Sequence, residues 1–206
     1  MTRTSVLVAC FAAAFSIGSA SSTAQAAPNT QDGFVFQLSP GLGYYSMTAE
    51  DALGTEVAFS GETFSLSLML GGTIMPGLHV GGGFFLDRAF SPTLEIGGQE
   101  AAGTPDFQQF VLGLGPFVDY YLDPAGGLHF QGFFGWGGVE TSTEAGGAGG
   151  SDPTGLVVYL GAGYDVFLSD EWSVGGMARF AYGPFALNEI DYPTIAPALL
   201  LTLTWS

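Results

Sequence analysis

The chain has 206 residues, 47% hydrophobic and only 11% charged, with 33 glycines, 18 phenylalanines and a formal net charge of −16. Three cations against 19 acids exclude a nucleic-acid partner, because a row of phosphates needs a row of positive side chains to displace its counterions. So apolar a chain collapses rather than staying disordered; the scarcity of charge points towards lipid, and the glycines argue against a bundle of helices.

Residues 1–26 read as a secretory signal peptide. Arg3 gives a short positive start, an uncharged run follows over residues 6–20, and Ala24-Gln25-Ala26 supplies a small-residue cleavage site. The apolar stretch is about 15 residues, short of the ~20 that a spanning helix needs. Arg3 and Cys10 leave with the signal, so the mature domain, residues 27–206, has no cysteine and only Arg88 and Arg179 as cations besides histidine. Disulfides, thiol nucleophiles and thiolate metal sites are then closed to it.

The mature chain alternates with a period of two. In the first run Phe34, Phe36, Leu38, Leu42 and Tyr44 share one parity, and Gln37, Ser39, Gly41 and Gly43 the other. Residues 63–86 carry no charge, yet they contain Pro76 and six glycines, and Phe64, Leu66, Leu68, Leu70 and Ile74 oppose Thr63, Ser65, Ser67, Gly71 and Thr73. That pattern predicts two strands joined at Met75-Pro76-Gly77 instead of a helix. After the turn, Leu78, Val80, Phe84 and Leu86 oppose His79, Gly81, Gly83 and Asp87. The fourth run sets Phe110, Leu112, Leu114, Val118 and Tyr120 against Gln109, Gly113, Gly115, Asp119 and Tyr121; the fifth sets Leu128, Phe130, Phe134 and Trp136 against His129, Gln131, Gly135 and Gly137. The sixth opposes Leu156, Val158, Leu160, Ala162, Tyr164 and Val166 to Tyr159, Gly161, Gly163 and Asp165. In the seventh Trp172, Val174, Ala178, Phe180 and Tyr182 face away from Ser173, Gly175 and Arg179, and in the last Ile195, Leu199, Leu201, Leu203 and Trp205 face away from Thr194, Ala198, Thr202 and Thr204.

Eight runs of about 10–13 residues suit tilted strands crossing a bilayer. Short connections near 75–77, 122–127 and 169–171 alternate with long ones near 47–61, 89–106, 141–154 and 184–193. This predicts an all-β, eight-stranded, antiparallel up-and-down transmembrane barrel, with short periplasmic turns and longer extracellular loops. A soluble eight-stranded barrel would need lysine and glutamate on its polar face, whereas here that face carries glycine, serine, threonine and glutamine. Small residues suit the narrow interior that eight strands enclose. The opposite face places Tyr44, Tyr120, Trp136, Trp172, Tyr182 and Trp205 where an aromatic girdle meets the headgroups. Pro40, Pro116 and Pro197 each predict a bulge or a missing ladder bond, since a closed barrel has no edge strand.

The cleavable signal, the eight runs, the GG- and DP-type turns and the aromatic-ended last strand resemble the small OmpA/OmpW-type outer-membrane β-barrels over the whole mature chain. The resemblance implies residence in the bacterial outer membrane, contact with its lipids and lipopolysaccharide, and recognition of the last strand, ending at Trp205, by the assembly machinery. Family members usually end on the aromatic itself, whereas Ser206 follows Trp205 here. OmpW-type relatives further imply a narrow conduit for ions or small apolar solutes as the alternative to a structural, surface-exposed or interaction role. Lipid-A-modifying barrels imply a third role, but they place histidine near the extracellular end or on the outer surface. His79 and His129 fall at the other end.

The candidate residues follow from parity. His79, Asp87, Asp119, His129, Asp165 and Arg179 share the inward side, which predicts an interior polar network. Three carboxylates against one arginine would favour cations if a water path existed. Two histidines without a third ligand are a weak metal signal, and no calcium-loop, phosphate-loop, zinc-helix or nucleophile-elbow motif occurs. No cofactor and no enzymatic activity are expected. Arg88 has outward parity near a loop end, which predicts an interfacial lipid contact. Glu50, Asp51, Glu56, Glu62, Glu95, Glu100, Asp106, Glu140, Glu144, Asp152, Glu189 and Asp191 make the outer loops acidic, a surface that attracts cationic partners and repels acidic ones.

Overall fold

The computed structural model describes residues 33–50, 54–101, 107–124, 126–143, 152–188 and 190–206. The predicted signal peptide lies outside the described residues, as do Asp32, Asp51, Asp106, Glu144, Glu189 and the 145–150 segment. The strands, in chain order, are β1 (Phe34–Glu50), β2 (Glu56–Met75), β3 (Leu78–Phe90), β4 (Thr93–Ile96), β5 (Gln99–Glu100), β6 (Phe107–Tyr121), β7 (Leu128–Thr143), β8 (Thr154–Phe167), β9 (Trp172–Leu187) and β10 (Ile190–Trp205). Eight of them pair antiparallel in the order β1-β10-β9-β8-β7-β6-β3-β2, and pairing of β1 with β2 closes the ring. Among the described residues no helix is long and apolar enough to cross a membrane. The barrel instead presents its apolar side chains outward: Leu42, Leu114, Trp136, Leu160 and Leu201 are each more than 60% exposed. An outer wall of that kind is stable against lipid, where closure satisfies every backbone group within the ladder.

The barrel strands are longer than the alternating apolar runs. They span 13 to 20 residues, because backbone pairing continues where the apolar pattern stops. The expected loop near 47–61 is largely a hairpin, with Met47↔Phe59 through Glu50↔Glu56 still in register. The expected loop near 184–193 likewise narrows to the turn after Leu187, with Pro184↔Pro193 and Leu187↔Ile190 paired. Part of the 89–106 connection folds as the small β4–β5 hairpin, which adds to the far end of β2 through Val57↔Ile96 and Ser60↔Thr93. Glutamates and prolines in these stretches read as loop, yet neither prevents pairing in a hairpin standing clear of the apolar band.

The three prolines expected to disturb the ladder, Pro40, Pro116 and Pro197, resolve one way. Register passes through each without a shift, and pairing lapses on one side only. The β1–β10 ladder skips from Leu38↔Leu203 to Gly41↔Leu200 around Pro40, and from Gly43↔Ala198 to Ser46↔Ile195 around Pro197. The β6–β7 ladder skips from Leu114↔Trp136 to Phe117↔Phe133 around Pro116. A ring nitrogen that cannot donate costs its local bond without adding a residue to the strand.

Inside, the polar parity is only half the content. Tyr45, Met69, Phe85, Val111, Phe117, Phe133, Val139, Tyr159 and Phe185 also point inward and are buried. They form the main apolar core. Inward glycines make room for these large side chains: a Cβ at Gly113 would stand 2.9 Å from Val157 Cγ1, and one at Gly163 would stand 2.9 Å from His129 Cδ2. Large and small residues therefore alternate around the ring, as a narrow barrel requires.

Candidate functional site

The six inward ionisable residues are all buried, with exposures of 0 to 3%. They separate into two groups. At the short-turn end, β3 begins with His79 one residue in, β7 begins with His129 one residue in, and β6 and β8 end close to Asp119 and Asp165. A short turn followed by a strand start thus delivers a histidine, and a strand end delivers a carboxylate, to the same mouth.

His129 lies between the two carboxylates. Its Nδ1 is 2.8 Å from Asp119 Oδ1 and its Nε2 is 3.8 Å from Asp165 Oδ1. Asp165 also accepts hydrogen bonds from Tyr121 Oη at 2.7 Å, Thr202 Oγ1 at 2.5 Å and Ser173 Oγ at 3.4 Å. Gln131 Nε2 donates to Asp119 Oδ2 at 3.1 Å and to Gln37 Oε1 at 2.7 Å, while Gln131 Oε1 accepts from Tyr159 Oη at 2.5 Å. The Tyr121 ring stacks on His129 with centroids 4.8 Å apart and 12° between planes, and the His79 ring lies 5.3 Å from that of Tyr121, tilted by 53°. Three of these bonds join strands that are not neighbours in the ring, Tyr121–Asp165, Thr202–Asp165 and Gln131–Gln37, and the last of them ties opposite walls together. Multiply bonded carboxylates of this kind are held in place more firmly than any single contact would hold them.

The second group sits deeper. Arg179 on β9 pairs across the lumen with Asp87 on β3 and donates to Ser67 Oγ at 3.0 Å. Its guanidinium lies over the Phe85 ring at 4.9 Å and near Tyr159 at 5.7 Å. Phe133 and Tyr159 stack at 5.1 Å with a 2° interplanar angle, and Phe85 meets both edge-on at 5.5 and 5.8 Å. The apolar core, including Tyr45, Met47, Val139 and Phe185, extends from this layer, with Phe59 and Tyr192 packed against it. The lumen therefore holds a polar layer at the short-turn end, the buried Arg179–Asp87 pair, an aromatic layer and an apolar layer. The sequence reading did not single out the aromatic layer. Parity puts Phe85, Phe133 and Tyr159 on the inward side, and only the cross-lumen geometry shows that the three rings meet.

Arg88 is outside the lumen. It is half-buried on the outer wall of β3, opposite Phe64 on β2 and Phe110 on β6. Among the described residues no group of three or more histidines, aspartates or glutamates is placed to hold a metal ion. Among those residues neither histidine has a serine or threonine hydroxyl bonded to it; the hydroxyls of Ser173 and Thr202 donate to Asp165 instead.

No protein-family model matches the sequence, and no curated protein matches it. Solved structures do share the fold. Neisserial surface protein A is 16% identical, with 84% of this chain and 96% of that chain covered and a TM-score of 0.50. The outer membrane protein OprG from Pseudomonas aeruginosa is 13% identical, with 87% of this chain and 98% of that chain covered and a TM-score of 0.53. At such identities the likeness is one of fold: the chain has the architecture of the small eight-stranded outer-membrane β-barrels over nearly all of its described length.

Proposed function

We propose that this chain is a bacterial outer-membrane β-barrel that acts as a closed, non-enzymatic anchor carrying acidic hairpins at the cell surface. The observation that carries the reading is the filled interior: every inward ionisable group and every aromatic of the Phe85, Phe133 and Tyr159 layer is buried. A lumen packed at these levels has no room for a hydrated ion. The narrow cation-favouring or apolar-solute conduit would require both the Asp119–His129–Asp165 layer and the aromatic layer to part. In this reading residues 1–26 are removed after Ala26, and the short turns face the periplasm. The last strand engages the assembly machinery up to Trp205, and the outer wall is bathed by lipid and lipopolysaccharide.

Reconstitution in planar bilayers tests it. The purified protein should show no conductance steps; cation-selective steps would overturn the anchor reading in favour of the conduit. Orientation is read separately, by an epitope inserted after Gly98 in the exposed β4–β5 turn, which antibodies should reach on intact cells. Mass spectrometry of lipid A with and without the protein should show an unchanged acylation pattern.

A further inference from the structure

Arg88 is the one arginine of the mature sequence that does not face the lumen, and its surroundings are unusual for a surface cation. The guanidinium lies 4.7 Å from the Phe90 ring centroid and 5.6 Å from that of Phe110. Among the described residues it makes one hydrogen bond, from Nη2 to the neutral amide oxygen of Gln108 at 2.7 Å. The Nε atom is buried with no partner. Acids stand close by on the same outer face: Glu62 lies two residues from Phe64, and Glu140 is the cross-strand neighbour of Phe110. Neither forms an ion pair with Arg88, and no other described residue does. The side chain thus lies flat on an apolar wall, where Phe90 is 53% and Phe64 is 40% exposed, two residues before β3 ends. A cation held on aromatic faces at the edge of the apolar band, with donors left over and no internal carboxylate, is built to meet an anion supplied from the membrane.

We infer that Arg88, with Gln108 and the Phe90 and Phe110 rings, forms a binding site for a phosphate of the outer-leaflet glycolipid. The inference rests on the orientation proposed above, which puts the long-loop end of β3 in the outer leaflet. The planar fork donates to the phosphate oxygens, Gln108 orients the fork, and the two phenylalanines lie where acyl chains meet the headgroup. Arginine is favoured over lysine for this geometry because its fork is planar and its charge tolerates stacking.

Native mass spectrometry of the purified barrel in detergent, titrated with bisphosphorylated lipid A, tests the site. Wild-type protein should retain lipid A. Arg88→Gln should retain about tenfold less, the loss expected for one charge-assisted contact, and Arg88→Lys should fall between the two. Dephosphorylated lipid A on wild-type protein should be retained about as poorly as lipid A is on Arg88→Gln, an arm that needs no variant to fold. Equal retention by wild type and a folded Arg88→Gln, or of the dephosphorylated lipid, would overturn the phosphate site. Equal retention of phosphatidylglycerol, or full competition by inorganic phosphate, would overturn its assignment to the glycolipid. The epitope on intact cells reports orientation independently, so failure of the site and failure of the anchor reading give different results.

Discussion

Replacing Arg179 with methionine removes the cation that faces Asp87 across the barrel while keeping much of the side chain's length. The structure sets the size of the effect. Both side chains are fully buried, the other Asp87 oxygen and Arg179 Nε have no partners, and Arg179 makes one more bond, to Ser67. Unit charges about 4 Å apart at an effective dielectric of about 20 attract by about 4 kcal/mol, in line with the ~3–5 kcal/mol usually lost when one member of a buried pair is removed. Arg179→Met and Asp87→Asn should each cost about that much, since each strands a buried charge or its donors. The double variant strands neither charge. It should be more stable than either single variant, with a coupling energy above about 2 kcal/mol. Urea unfolding from lipid vesicles gives the values by linear extrapolation, with fluorescence from Trp136, Trp172 and Trp205 on the outer wall as the signal. An Arg179→Met loss under about 1 kcal/mol, or a double-variant loss equal to the sum of the singles, would refute the reasoning.

Tyr159→Phe deletes the hydroxyl bonded to Gln131 Oε1 and should cost about 1–2 kcal/mol in the same assay, the usual loss for a buried acceptor left without its donor. Gly163→Val sets a branched side chain against the His129 ring, which Asp119 pins, and should cost about 1–3 kcal/mol by overpacking. Trp205→Ala removes a ring contact with Phe34 at 5.9 Å and a hydrogen bond to Glu171 Oε2 at 3.2 Å beside the β1–β10 ladder. It should lower stability by about 1 kcal/mol, whereas Glu171→Gln, on an exposed acceptor, should change it by less than that.

The barrel was legible in the sequence because its two environments differ sharply. Lipid on one side demands Leu42, Leu114 or Leu160 at every second residue, and the turns at Pro76-Gly77 and Asp123-Pro124 cut the pattern into strands. The inward side of His79, Asp119 and Arg179 follows from the same parity. Strand length was less legible, since Glu50 and Glu56 pair across β1 and β2 although nothing apolar marks them. The aromatic layer was hidden for a different reason: parity puts Phe85, Phe133 and Tyr159 inward, but which rings meet depends on register and closure.

Composition, periodicity and turn chemistry by themselves determined the number of barrel strands, their antiparallel order and which face meets lipid, because each of these is a local property repeated along the chain. Only the tertiary structure decided what fills the lumen and which groups meet there. Arg179 and Asp87 are 92 residues apart in sequence, and Gln131 and Gln37 are 94 apart. Ring closure and register bring them face to face, and no local pattern encodes a distance across a barrel. Whether inward carboxylates line a water path or are locked by hydrogen bonds depends on those cross-lumen partners, and here the partners fill the space between the walls.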